Sequence, residues 1–343
     1  MMQASKFSAS EHRFSLRRAG TAFRWAVLVG GLVAGLIGAA VRAEAQKASS
    51  KTAGSAAQEL PPIEEKTLRA SDGWPIHIIY LPSPMKKDGP VVVLLHRQGS
   101  NSLVWLRKRG LARLLQNAGY AVIAVDLRKH GKSKRKGGPT RSARRAGSGG
   151  GLKRADYQAM VARDLEAVKG FIYREHQQQK LNMRKLALVA AEMSCPIAIN
   201  YTVLDWLKKP YDDAPSPEAA TPRGQDVQAL VLLSPDTSCP GVVTARAIPF
   251  IKARPISVLI CVGAEDSDYV KNAKRIFQQL GGEHQTVRRV YYKAYPGKLR
   301  GTDLLGKPSI QVEKLIRGFL DKHLKALSGP RYDWRDRRSP LLK

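Results

Sequence analysis

LALVAAEMSCPIA, Leu186 to Ala198, is the stretch on which the reading of this chain turns. Its first residues form a short, continuous apolar run, the pattern of a strand buried on both faces, and its last residues open a helix. Between them lies a tight turn. Ala190 and Ser194 are the small side chains that flank it, and Glu192 stands at its apex. Such a corner holds one side chain clear of the end of a sheet, and here that side chain is a carboxyl.

Working outward, the same alternation of strand and helix recurs. Buried-strand patterns lie at 91–95 (VVVLL), 121–125 (AVIAV), 185–190, 227–233 (VQALVLL), 256–262 (ISVLICV) and 287–292 (VRRVYY). Helical patterns lie near 103–118, 157–176, from the turn to Lys208, 268–280 and 308–326. Before them, Glu65 to Ala70 and Trp74 to Tyr80 alternate about Ser71-Asp72-Gly73 and predict a β-hairpin. The fold class is α/β: a doubly wound, mostly parallel β-sheet with helices on both faces, in which the residues just after each strand do the work. Only about twenty residues separate the strands at 227–233 and 256–262, too few for an inserted cap domain.

The chain ends carry different signals. Arg13, Arg17, Arg18 and Arg24 precede an apolar run from Trp25 to Ala40, followed by Ala43-Glu44-Ala45. This is the order of a secretory signal peptide over 1–45, cleaved near Ala45. The run is below the roughly 20 residues that span a bilayer, so export is expected, with an N-terminal membrane anchor as the alternative. Residues 46–61 read as a linker, 62–326 as one domain with a Pro-rich insertion at 209–226, and 327–343 as a basic tail without periodicity. The three cysteines, Cys195, Cys239 and Cys261, exclude a disulfide scaffold; free thiols are expected, a Cys195–Cys239 bridge being the alternative.

The formal charge of +30 falls only to +26 when the six basic and two acidic residues of 1–45 are removed, so the excess belongs to the folded part. Residues 128–154 hold eleven Lys or Arg and no acid, and read as a flexible basic loop. Arg128, Lys132, Lys134, Arg135 and Lys136 are its leading cations. They could hold an anionic polymer or membrane surface, against the plainer reading of a solvated loop. Aromatic residues are nearly absent there, so specific nucleic-acid recognition is not indicated. No metal-ligand spacing and no Gly-rich dinucleotide loop occurs, and no cofactor is expected.

Over nearly all of 62–326 the chain resembles the α/β-hydrolase family. LLHRQGSN at 94–101 resembles its His-Gly oxyanion strand, and YAVIAVDLRKHGKS at 120–133 its common G-Y-x-V-x-x-x-D-x-R-G-H-G-x-S run through the next strand. The turn at Glu192 resembles the G-x-S-x-G nucleophile elbow, VGAEDSD at 262–268 the acid-bearing turn, and YPGKLRGTDLL at 295–305 the histidine-bearing loop. The resemblance implies cap-less esterase-, lipase- or dienelactone-hydrolase-like chemistry. It also places Glu192 at the nucleophile position, Asp266 at the acid position and Arg300 at the histidine position.

Two of those three residues are wrong for that chemistry. Arginine stays protonated and cannot take a proton from a nucleophile. Ser194 and Cys195 read as helix-start residues and Asp266 equally as a helix cap; His96 and His130 are structural loop residues in the resemblance. Arg97 stands where the oxyanion hole usually has glycine, leaving the Met193 amide as a donor in a reshaped region formed with His96. The expectation is a protein that binds or scaffolds, with anionic ligands among its candidates and its small-molecule ligand unknown. The alternative is an esterase, lipase or peptidase with non-standard catalytic residues. Because both partner positions changed, Glu192 and Arg300 are expected to form an ion pair, with Asp266 as a second acceptor.

Overall fold

The computed structural model describes residues 59–107, 110–135, 151–216 and 219–342. The expected signal peptide, most of the linker, and Lys136 with the rest of the basic loop to 150 lie outside the described residues.

Among the described residues ten strands form, eight of them in one sheet. β1 (Glu64–Arg69) and β2 (Pro75–Leu81) make the predicted antiparallel hairpin. The remaining strands of the sheet are β3 (Pro90–Leu95), β4 (Ala121–Val125), β5 (Asn182–Ala191), β6 (Val227–Leu233), β9 (Ser257–Gly263) and β10 (Val290–Tyr295), all mutually parallel. The order across the sheet is β1-β2-β4-β3-β5-β6-β9-β10. Two-residue strands β7 (Ser238–Cys239) and β8 (Val242–Val243) pair in a separate small hairpin.

Burial explains why these runs are strands. Successive side chains of a strand point to opposite faces, so a strand covered on both sides must be apolar throughout. On β3, Val91, Val93 and Leu95 enter one core while Val92 and Leu94 enter the other. The first core is closed by α2 (Arg154–Ala159), α3 (Leu165–Gln177), α4 (Ser194–Leu207), α5 (Ala247–Lys252) and α6 (Ser267–Gln279). The second is closed by α1 (Leu111–Asn117) and α7 (Val312–Leu320), with Trp105 and Leu304 between them. The doubly wound sheet is therefore as expected. The single helix foreseen near 103–118 is instead a 3-10 turn, Ser102–Trp105, followed by α1, because Gly110 breaks the run and caps α1. Among the described residues no helix is long and apolar enough to cross a membrane.

The tail is not free. Tyr332 and Asp333 accept hydrogen bonds from Asn182 and Arg184 at the start of β5, and His176 on α3 meets the Arg335 carbonyl and packs on Trp334. Arg337 is buried against Asp226, just before β6. All these contacts lie at the amino ends of the parallel strands. The carboxyl ends, where Glu192 stands, are at the far edge.

Candidate functional site

The turn after β5 is a true elbow. Ala191 ends the strand, Ser194 begins α4, and Glu192 between them has φ +51°. A left-handed conformation at a non-glycine residue costs about 1–2 kcal/mol, and the surrounding hydrogen bonds hold it. Glu192 donates its N–H to the Leu233 carbonyl on β6 at 3.0 Å, and its own carbonyl accepts from Cys195 at 2.9 Å. Ser194 is fully buried; its hydroxyl accepts from Ala191 N–H at 2.8 Å and lies 2.9 Å from the Leu95 carbonyl. It stitches the turn to β3 and is unavailable as a nucleophile. Cys195, Cys239 and Cys261 are buried and free, so the Cys195–Cys239 bridge does not form. Burial pushes the Cys239 and Cys261 thiols up to about 12, which leaves them as unreactive core groups.

The Glu192 carboxyl is held by residues from three other strand ends. Arg97, after β3, places Nη1 3.4 Å from its Oε1, and the Tyr269 hydroxyl on α6 lies 3.5 Å from its Oε2. Gly301 backs the same carboxyl so closely that a Cβ there would fall 2.5 Å from Oε1. Burial raises the Glu192 carboxyl above the ordinary value, and Arg97 offsets part of that rise.

Arg300 does not reach Glu192. Its Nε donates to the buried Asp266 carboxylate, and its guanidinium lies over the Tyr269 ring, 5.4 Å from the centroid. The expected Glu192–Arg300 ion pair is therefore corrected to two pairs, Arg97–Glu192 and Arg300–Asp266, with Tyr269 between them. The reason is local. Asp266 leaves β9 beside the Arg300 loop and is almost fully buried, so its charge takes the nearest guanidinium, while Gly301 and not Arg300 faces the elbow. Arg97 also reaches Asp303 at 3.0 Å, so the residue expected to crowd an oxyanion hole is anchored between two carboxylates.

Sequence reading missed Asp303 and Asp236. Asp236 follows β6 at the same sheet edge, and its N–H contacts the Glu192 carbonyl at 3.4 Å. Burial, and then the neighbouring Glu192, raise its carboxyl to about 6. Its position just after a buried strand was the available signal. A carboxyl raised on folding stabilises most below its unfolded value near 4, and that contribution is lost as pH rises through about 6. Asp236→Asn is thus expected to be more stable than the natural chain by about 1–2 kcal/mol at pH 8 and equal to it at pH 4, read from urea unfolding at both pH values.

His96 and His130 are structural. The His96 ring accepts from Leu127 N–H through Nε2 at 3.0 Å and faces the Arg97 carbonyl with Nδ1 at 2.7 Å, which fixes the neutral tautomer. Burial lowers it to about 4. His130 packs edge-on against it, 5.0 Å between centroids. Met193 caps α4 and is buried.

The described part of the basic loop is largely neutralised. Arg128, expected as an exposed cation, is buried and bound to Asp72 and Asp164, Lys129 to Asp156, and Lys132 to Glu65. Arg128 and Arg135 both lie over the Trp74 ring, each 4.8 Å from its centroid. Only Lys134 and Arg135 of the five cations are exposed there without a carboxylate partner among the described residues. The correction follows from cost: a guanidinium beside a strand end is too buried to stay unpaired. Among the described residues no group of three or more His, Cys, Asp or Glu side chains is placed to hold a metal ion.

The family model of the α/β-hydrolase fold matches residues 90–240, from the start of β3 past the elbow. This chain has the α/β-hydrolase fold. Esterase Pf2001 of Pyrococcus furiosus is similar in structure, with a TM-score of 0.52, 12% identity, and coverage of 77% of this chain and 91% of that one. The α/β hydrolase GrgF of Penicillium sp. sh18 gives 0.51 at 11% identity over 77% and 99%, and esterase 2 of Thermogutta terrifontis 0.50 at 14% over 77% and 94%. At such identities the α/β-hydrolase fold is what is shared. No curated protein matches the chain in sequence. The turn at Glu192, Asp266 after β9 and the Arg300–Gly301 loop converge at the carboxyl ends of the strands.

Proposed function

We propose that this α/β-hydrolase-fold protein is exported and acts by binding or scaffolding, without hydrolysis. The observation that carries this reading is the Arg300–Asp266 contact. In a working triad the acid orients a neutral base; here it is occupied by a group that cannot accept a proton. Glu192 is likewise drawn into contact with Arg97, Tyr269 and Gly301, and its carboxyl fills the space above the elbow. The basic start and apolar run of residues 1–45 support export, and the +26 charge of the remainder supports an anionic partner. With Arg128 and Lys132 already paired, that attraction rests on the protein's field as a whole more than on the start of the 128–154 segment.

One observation favours a second reading, an esterase-like hydrolase with Glu192 as nucleophile. The left-handed apex is retained, and Asp236, raised to about 6 by burial and by Glu192, is the candidate base for water. A fluorophosphonate probe and short-chain p-nitrophenyl esters separate the two. The binding reading expects neither labelling nor turnover; ester turnover that rises with pH through about 6 and disappears in Asp236→Asn would establish the second.

A further inference from the structure

A second site lies at the opposite edge of the sheet. A cavity of about 640 Å³ opens between the start of β5, the Pro-rich insertion and the docked tail, and Arg184, Lys208, Arg223, Arg331 and Arg335 line it. Glu192 lies eight positions beyond Arg184, about 26 Å along the strand, so the cavity is independent of the elbow.

Lys208 is neutralised by Glu166, at 2.6 Å. Among the described residues the one acid in the wall is Asp226, already taken by Lys169 at 2.7 Å and Arg337 at 2.5 Å. The four lining guanidinia have no carboxylate within ion-pair distance among the described residues. Arg184 is buried and spends Nη1 on the Asp333 carbonyl at 2.8 Å; Arg335 holds the Ala220 carbonyl at 2.8 Å. Arg331 lies over Trp206 at 5.1 Å and Arg223 over Tyr211 at 5.0 Å, and neither guanidinium has a side-chain hydrogen-bond partner among the described residues. Burial, together with Arg335 and Arg337, lowers the Arg184 guanidinium to about 10, as expected where positive charge lacks an anion.

Like charges gathered in a concave, partly desolvated wall repel one another unless an anion joins them, and planar guanidinia match carboxylate and phosphate oxygens in pairs. We infer that this cavity binds a small organic polyanion carrying two or more phosphate or carboxylate groups. Its volume suits a ligand of that size and not a polymer chain. Because Pro330, Arg331 and Arg335 belong to the tail, the bound anion also ties the tail to the sheet.

Titration calorimetry of the full chain with inorganic pyrophosphate and with citrate, at physiological salt, tests this. One molecule of at least one probe is expected to bind per chain, and the preferred probe tells phosphate from carboxylate chemistry. Arg184→Gln should weaken it at least tenfold, as should the exposed pair Arg223→Ala with Arg331→Ala, which keeps the test decisive if the buried variant does not fold. Lys134→Ala, outside the cavity, should leave binding unchanged. The inference is overturned by absence of saturable binding of both probes, by binding unaffected in the Arg223/Arg331 variant, or by retention on heparin alone.

Discussion

Arg337→Ala is expected to lower the free energy of unfolding by about 3–5 kcal/mol, the cost of removing one partner from a buried ion pair. Both side chains are about 2% exposed, and Arg337 meets the two oxygens of Asp226 at 2.5 and 3.2 Å. Lys169 bridges Asp226 to Asp205, which in turn accepts the Asp226 and Val227 N–H groups at the start of β6. Two cations and two carboxylates thus balance in the interior, and deleting Arg337 leaves one negative charge over. Burial alone would raise the Asp226 carboxyl, but Arg337 and Lys169 outweigh it and hold it at about 2. The stabilisation is therefore present above the unfolded value near 4 and is lost as pH falls through about 2. Urea unfolding at pH 7 measures it, and a loss below about 1 kcal/mol would mean that the tail contributes charge without anchoring.

Gly301→Ala is expected to cost about 2–3 kcal/mol, part from backbone and part from contact. Gly301 has φ +46°, and its new Cβ would lie 2.5 Å from Glu192 Oε1 and 3.0 Å from its Cγ. The carboxyl has little room to retreat, because Arg97 and Tyr269 flank it. In a Glu192→Ala background the clash is absent, and the same substitution should cost only the backbone part, about 1 kcal/mol. The double-mutant cycle therefore reads the contact between elbow and final loop directly. Equal costs in both backgrounds would place the Glu192 side chain elsewhere.

Much of this was legible in the chain itself. Continuous β-branched runs can only be strands covered on both faces, and the turn at Glu192 announces itself by its small flanking residues. Chain order then brings Asp266 and the 295–305 loop to the same edge. Side-chain pairing was not legible. That Arg300 turns to Asp266 while Arg97 takes Glu192 depends on which loop residue faces inward, and a left-handed Gly301 settles that without leaving any periodic mark. Asp236 was hidden for a similar reason: its carboxyl is raised by burial and then by Glu192, forty-four positions earlier in the sequence, and neither is marked in the local sequence. The tail shows the same limit. Its contacts with β5 and β6 span more than a hundred residues, as from Asp226 to Arg337, and a segment that docks by isolated side chains has no apolar period to betray it.

Whether this fold has lost hydrolysis is read from the rate of p-nitrophenyl butyrate hydrolysis by the natural chain, set beside Glu192→Ala. No turnover above buffer is expected from either protein; turnover by the natural chain that Glu192→Ala abolishes would contradict the binding function proposed above.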